Sequence, residues 1–132
     1  MKAKQLRMKL TRNELAAYEN FLGELQYTDL KLKRLYILLN TETDEKKRAE
    51  IAGRIKSYEN FKETCDRVYN QLDESLQDIF KLRYSRGAGL LYEEIAERLH
   101  YSLRSIYRKR ETILTLFAQE IGRLQRRKKK RS

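Results

Sequence analysis

Apolar residues recur every three or four positions along the first forty residues, and this spacing predicts an amphipathic helix. The helix has a start signal, because Thr11 followed by Glu14 matches a capping box. The stripe is interrupted at Asp29, and the helix is expected to end in the polar segment 40–44. Its apolar stripe consists of Leu15, Tyr18, Leu22, Leu25, Leu32, Tyr36 and Leu39.

A second stripe of the same kind follows the polar segment. It consists of Ile51, Ile55, Tyr58, Cys65, Tyr69 and Leu72, with Phe61 and Val68 alongside. Two stripes joined by a short turn predict an antiparallel helical hairpin or coiled coil over residues 1–75. The hairpin can close within a monomer, or the N-terminal helices can form a homodimer. Asp29 and Lys62 disfavour a long, dry interface.

Tyrosines occupy both stripes, and we interpret them as packing residues. The rings of Tyr18, Tyr36, Tyr58 and Tyr69 are expected to fill the seam, with their hydroxyls at its edge. Cys65 is expected to be a buried small hydrophobe.

A third helical segment follows, with an apolar face formed by Leu76, Ile79, Phe80 and Leu82. The segment 85–89 contains two glycines and is predicted to end this helix. A domain boundary is expected near 73–75, and a helix running continuously across it stays an open alternative.

Two short helices are predicted within residues 92–110, "YEEIAERLHYSLRSIYRKR". A helix-turn-helix needs small and aliphatic contacts between its two helices, with one side of the second helix left free. Ser102 is a suitable N-cap for the second helix, because its hydroxyl can accept a hydrogen bond from a first-turn N–H. The expected inward residues are Ile95, Ala96, Leu99 and Ile106. The expected outer face is Arg104, Ser105, Tyr107, Arg108 and Glu111, with Leu103 at the tip.

Composition favours an all-α protein without a bound cofactor. The chain of 132 residues has no Pro and 5 Gly, and 37% of its residues are charged. Because Cys65 and His100 are the one cysteine and the one histidine, a disulfide framework or a His/Cys metal cluster within one chain is excluded. No apolar run approaches the roughly 18 residues that a membrane span needs. We therefore expect a soluble, cytoplasmic protein with no membrane partner.

The net charge of +11 is concentrated at the two ends of the chain. Residues 102–132 hold eleven basic and two acidic residues, whereas residues 41–75 hold seven basic and nine acidic ones. A basic segment that begins at the second short helix indicates a surface for polyanions.

The segment 76–118 resembles region 4 of bacterial sigma factors, and especially the phage and prophage transcriptional regulators of the ArpU type. The similarity lies in "LRY", a Gly-containing loop, "YEEIA", a Ser cap and "IYR", in that order. His100 occupies a turn position where this family usually has glycine, so left-handed backbone angles are expected there. Leu90 and Leu91 stand where a Ser or Thr cap is usual, so Gly89 is expected to cap the first short helix.

The resemblance implies a helix-turn-helix domain over 76–121, followed by a basic tail over 122–132. It also implies transcriptional regulation, with double-stranded DNA as partner and contact with RNA polymerase at a promoter. Arg104 and Arg108 are predicted to contact bases, and the tail to attract phosphates. The full predicted DNA-binding set is Ser102, Leu103, Arg104, Ser105, Tyr107, Arg108, Lys109, Arg110, Arg126, Arg127, Lys128, Lys129 and Lys130.

Two other classes of protein stay open. Small terminase subunits, which act in phage DNA packaging, also combine a helix-turn-helix with coiled-coil helices. An interaction module could instead use its basic tail to bind an acidic protein or RNA. An enzyme is disfavoured, because the sequence has no Gly-rich phosphate loop with a Lys and its single His has no nucleophile motif beside it.

Overall fold

The computed structural model describes residues 9–85 and 88–131, with side chains as far as Arg123. The described residues form only helices and contain no strand, which confirms the all-α prediction. The helices are α1 (Arg12–Gly23), α2 (Leu25–Thr41), α3 (Glu45–Gln71), α4 (Glu74–Tyr84), α5 (Tyr92–Leu99) and α6 (Leu103–Arg131).

Local capping signals set several helix starts. At α1 the Thr11 hydroxyl accepts from the Glu14 N–H at 3.1 Å, and the Glu14 carboxylate accepts from the Thr11 N–H at 2.8 Å. The predicted capping box is therefore confirmed. The Asp73 carboxylate accepts from the Leu76 N–H at the start of α4. Leu72 has extended angles, so α3 and α4 are separate helices rather than one continuous helix.

The first predicted helix is divided at Glu24 into α1 and α2, and the sequence did not predict this division. The Glu24 N–H bonds to the Phe21 carbonyl at 3.1 Å, which closes a tight turn between α1 and α2. Asp29 lies within α2, where its carboxylate pairs with Lys62 of α3 at 2.6 Å. The division lets α1 pack against α6 while α2 packs against α3.

Polar contacts run along the whole length of the α2–α3 pair. Besides the Asp29–Lys62 ion pair, the Tyr36 hydroxyl donates to Glu59 at 2.7 Å, and Arg48 donates to the Leu39 carbonyl. Residue numbers increase along α2 in these contacts while those of the partners in α3 decrease, so the two helices are antiparallel. Tyr36 was expected in the seam, but 43% of its surface is exposed, because its hydroxyl is held by Glu59 on the outside.

The buried side chains form two clusters. The smaller core joins α2 and α3 through Leu32, Leu35 and Ile55. The larger core includes Leu22 of α1 and Cys65, Val68 and Leu72 from the C-terminal part of α3. Its members from α4, α5 and α6 are Ile79, Phe80, Tyr84, Tyr92, Ile95, Ala96, Ile106, Ile113, Leu114, Leu116, Phe117 and Ala118.

Side chains from both sides of residue 75 therefore share the larger core. Leu22 and Val68, from the predicted arm, are fully buried together with Ile79 and Phe117 from the predicted helix-turn-helix domain. Cys65 is 1% exposed, as expected of a small hydrophobe, and burial raises its pKa to about 12. The helix bundle thus places α1 directly behind the two helices that carry the candidate site.

Candidate nucleic-acid interface

The turn between α5 and α6 is closed by a left-handed residue. His100 has φ 60 and ψ 39, as expected from its position in the sequence. The following N–H, that of Tyr101, bonds back to the Ala96 carbonyl at 2.9 Å, which satisfies a carbonyl left free at the end of α5. The chain can therefore reverse direction within three residues and begin α6 at Leu103.

The start of α6 is fixed by Ser102. Its hydroxyl oxygen accepts from the Ser105 N–H at 3.1 Å, so the predicted N-cap is confirmed. The two serine hydroxyls also lie 3.0 Å apart within hydrogen-bonding reach. Both side chains thus have a role in the cap, and this cap holds the first turn of α6 in place.

The start of α5 is capped differently from the prediction. Leu91 is the capping residue, and its N–H donates to the Glu94 carboxylate at 3.0 Å. Gly89 lies two residues earlier with φ +87, and a Cβ there would lie 2.7 Å from Oε1 of Gln26. Gly89 is thus required by its left-handed backbone angle and not as the cap, while the Gln26 carboxamide beside it ends a flexible side chain that can shift.

Aliphatic residues hold α5 against α6. Ile95 and Ile106 are completely buried and Ala96 is 7% exposed, while Leu99 packs at the edge of the same core. The inward set predicted from the sequence is therefore where it was expected. With Ile106 facing inward, the opposite side of the first turns of α6 faces solvent.

The exposed side of α6 carries two arginines and a tyrosine. Arg104, Tyr107 and Arg108 are all exposed, and their spacing of three and four places them on one helix face. Leu103, at the first position of the helix, is 37% exposed. Arg104 and Arg108 can therefore present their guanidinium groups to a ligand without moving the core.

Lys109 and Arg110 occupy a different side of α6 and are half-buried. Lys109 donates to the Ser75 hydroxyl at 3.2 Å and lies over the Tyr101 ring. Arg110 donates through Nε to Glu19 of α1 at 2.7 Å. The predicted DNA-binding residues within 104–110, other than Ser105 of the cap, therefore form two groups. Arg104, Tyr107 and Arg108 are exposed on one helix face, whereas Lys109 and Arg110 bind other residues of the protein.

Glu19 lies at the centre of a buried polar cluster that sequence analysis missed. Its carboxylate accepts from Arg110 and from the Tyr92 hydroxyl, and it pairs with Arg83 at 3.4 Å. The Tyr92 hydroxyl also lies 2.8 Å from that of Tyr84, and the Arg83 guanidinium lies over the Tyr92 ring. A signal did exist, since Glu19 is four residues after Leu15 and three before Leu22 and so shares their inward stripe.

The surroundings of Glu19 keep it charged. Burial raises the pKa of its carboxyl, but the hydrogen bonds from Arg110 and Tyr92 and the nearby positive charge lower it more, so the pKa lies below its ordinary value. Burial and the neighbouring carboxylate raise the pKa of Tyr92, which stays a neutral donor. The cluster therefore places a charged Glu19 between two arginines and a neutral tyrosine hydroxyl.

The described residues lack the groupings that a metal site or a membrane span requires. Among the side chains that the structure describes, no three metal-ligating groups lie together. No helix in the described ranges is both long and apolar enough to cross a membrane. The predicted phosphate contacts at Arg126, Arg127, Lys128, Lys129 and Lys130 belong to the last turns of α6, whose side chains lie outside the described residues.

Comparison with known proteins identifies no relative, since the chain matches no family model, no curated protein and no solved structure. The candidate interface therefore rests on its own geometry and on the sequence resemblance given above.

Proposed function

We propose that the protein is a sequence-specific regulator of transcription that binds double-stranded DNA, with α5 and α6 as its helix-turn-helix and α6 in the major groove. The observation that carries this proposal is the exposed face of Arg104, Tyr107 and Arg108, directly opposite the buried Ile106. An arginine pair on the exposed side of the first turns of a capped helix has the chemistry and the placement for contacts with base edges.

Each side chain of the outer face has a distinct role in this proposal. Arg104 and Arg108 each donate two hydrogen bonds to a guanine, as guanidinium groups do in the major groove. Tyr107 contacts a phosphate or a base, and Leu103 contacts the apolar part of the groove. Lys109 and Arg110 contribute charge at longer range, because their head groups already have partners in Ser75 and Glu19.

The resemblance to sigma region 4 and to ArpU-type regulators supports the biological part of the proposal. The protein binds near a promoter, acts in a phage or prophage system within a bacterial host, and contacts RNA polymerase. The basic C-terminal segment adds attraction to phosphates without base preference, and this attraction weakens as salt rises.

A second copy of the chain is the proposed partner for the outer face of α2. Four large apolar side chains there, Tyr27, Leu30, Ile37 and Leu38, each leave about half of their surface in water. Along α3 of the same pair, Glu50, Arg54 and Ser57 are exposed instead. Exposed apolar side chains grouped on one helix face, here around the exposed Arg34, are typical of protein interfaces, and a two-fold dimer would place two copies of α6 on two half-sites.

The same apolar face leaves a second candidate function, a phage DNA-packaging protein of the small terminase type. Helical association through α2 would then build a ring, and DNA binding would show no preference for a promoter. The two candidates differ in the number of chains in the assembly and in the sequence preference.

Selection of bound duplexes from random DNA, performed at two salt concentrations, tests the proposed function. We expect one recovered motif, with two half-sites if the protein is dimeric. Arg104→Ala should lose about 1 to 3 kcal/mol of preference at one base pair. The matched control is Arg54→Ala, which removes an exposed arginine from α3 and should leave the motif intact. Recovery of no motif at either salt concentration would overturn the proposal.

A further inference from the structure

Glu19 connects α1 to all three helices that follow the arm. Arg83 lies on α4, Tyr92 is the first residue of α5, and Arg110 lies on α6. Only 13% of the Glu19 side chain is exposed, against 24% for Arg83 and 20% for Arg110. A single carboxylate thus receives hydrogen bonds from side chains on three helices.

The placement of the partners matters for α6. Arg110 is two residues beyond Arg108 and is half-buried, so its hydrogen bond to Glu19 connects the inner side of α6 to α1 close to the exposed arginines. Tyr92 fixes the start of α5 through the same carboxylate oxygen that accepts from Arg110. A shift of α5 against α6 would lengthen one of these two hydrogen bonds. The Arg110 guanidinium would lose its carboxylate partner, which is costly for a partly buried charge, whereas the Tyr92 hydroxyl would keep its contact with Tyr84.

We infer that Glu19 is a positioning residue for DNA recognition: its carboxylate holds α5 and α6 at the crossing that presents Arg104 and Arg108 to the groove. Helix α1 therefore belongs to the DNA-binding unit rather than to the arm. This inference rests on the proposed function. Glu19 itself, being buried and negative, makes no contact with DNA.

A purely electrostatic role and a positioning role predict opposite effects on DNA affinity when Glu19 is replaced. Glu19→Gln removes one negative charge and releases Arg110 from its ion pair, so a simple electrostatic account predicts tighter binding to any DNA. Positioning predicts weaker binding to the specific site only, because base contacts need exact placement while phosphate attraction does not. The two accounts therefore differ in sign.

The experiment compares full-length Glu19→Gln with Glu50→Gln, which removes an exposed carboxylate of α3 and changes the net charge equally. Affinity is measured for the selected duplex and for a scrambled duplex of the same length. We expect Glu19→Gln to lose about tenfold or more in the ratio of the two affinities, with scrambled binding unchanged or tighter. Glu50→Gln should keep the wild-type ratio.

Amide hydrogen exchange in the free protein gives a second readout that needs no DNA. Glu19→Gln should speed exchange over 103–110 by a larger factor than within 55–68 of α3, where only the global loss of stability acts. Exchange that speeds up by the same factor in both ranges would show a general loss of stability alone and would overturn a positioning role. If Glu19→Gln does not fold, Arg110→Lys replaces it, because Lys keeps the charge but lacks the planar fork.

An unchanged affinity ratio in Glu19→Gln, with the wild type still selective, would overturn this inference and leave the proposed function intact. A wild type without preference for any sequence would overturn the proposed function, and the role of Glu19 in recognition with it. The exchange data would then still decide whether Glu19 holds α5 and α6 together.

Discussion

His100 occupies the single left-handed non-glycine position among the described residues, with φ 60 and an exposed side chain. Left-handed angles cost an L-residue roughly 1 to 2 kcal/mol, and glycine adopts them without that cost. We expect His100→Gly to raise the free energy of unfolding by about 0.5 to 1 kcal/mol, because the greater freedom of glycine in the unfolded chain offsets part of the gain. Urea denaturation measures this change.

The control for this prediction is His100→Val, a β-branched residue for which left-handed angles are most unfavourable. It should lower the free energy of unfolding by about 1 kcal/mol or more relative to His100. If glycine destabilised the protein as much as valine does, the imidazole would have a role in the turn beyond its backbone angles.

The lowered pKa of Glu19 makes its contribution to stability dependent on pH. Since the folded-state pKa lies below the ordinary value of 4.5, this stabilisation is fully present above pH 4.5 and is lost as the pH falls through the folded-state pKa. Glu19→Gln should destabilise the protein by about 2 kcal/mol near neutral pH, less than a fully buried pair because part of the cluster is exposed.

Denaturant unfolding of wild type and Glu19→Gln at several pH values between about 7 and 3 tests this pH dependence. The difference in the free energy of unfolding between wild type and Glu19→Gln should become smaller as the pH falls. Glu50→Gln serves as the reference, because its carboxylate is exposed. A gap that stays constant down to the lowest pH would show that the charge of Glu19 does not stabilise the fold.

Residues with local partners could be predicted from the sequence, whereas residues with distant partners could not. The Thr11 and Ser102 caps and the His100 turn depend on neighbours within a few positions, which the sequence displays directly. The Glu19–Arg110 pair joins residues 91 positions apart. Periodicity marks Glu19 as inward-facing but does not say which cation it meets.

At the level of the helices, periodicity located the apolar stripes but did not reveal that the first predicted helix is divided into α1 and α2. Asp29 interrupts the stripe, yet Lys62 neutralises it at the edge of the α2–α3 pair, so the helix continues. The actual division at Glu24 satisfies two separate cores, since Leu22 is buried in the larger one and Leu32 in the smaller one. The break at Glu24 is needed because α1 and α2 pack against different helices. The spacing of apolar residues does not show which helices pack together.

The N-cap of α6 is the helix feature on which the candidate interface depends most directly. Ser102→Ala leaves the Ser105 N–H without its acceptor and should lower the free energy of unfolding by about 1 kcal/mol. Faster amide exchange should appear first at Ser105 and Ile106, because their N–H groups bond to the Ser102 hydroxyl and carbonyl. Urea unfolding and hydrogen exchange measure the two effects.

Ser102→Thr keeps a hydroxyl at the cap and is the matched control for the alanine variant. It should retain most of the stability and the slow exchange of the first turn. Equal loss in both variants would mean that the cap hydrogen bond does not stabilise α6.

At the level of the whole molecule, residues from both sides of the predicted domain boundary share the larger core. Leu22, Cys65 and Val68 precede the predicted boundary, and Ile79 and Phe117 follow it, in one cluster. The smaller core, by contrast, contains only residues of α2 and α3. The sequence suggested the break between α3 and α4 through turn residues, but a turn does not reveal which helices pack across it.

The outer face of α2 yields a prediction about the assembly. Ile37→Glu places a charge among exposed apolar side chains that a second copy is proposed to cover, so association should weaken by tenfold or more, while the monomer keeps its fold because Ile37 is already 57% exposed. The control is Ser57→Glu, which adds the same charge to the exposed side of α3. Sedimentation equilibrium over a range of concentrations measures both.

A two-fold dimer through α2 has a consequence for DNA, because two copies of α6 would bind half-sites separated by about one helical turn or a multiple of it. Ile37→Glu should then lose affinity for the paired site while binding a single half-site as the wild type does. A wild type that stays monomeric at all concentrations would exclude the dimer and leave the apolar face to another protein. A ring of many copies without a paired recognition motif would instead favour the packaging function, since rings have no need of two half-sites.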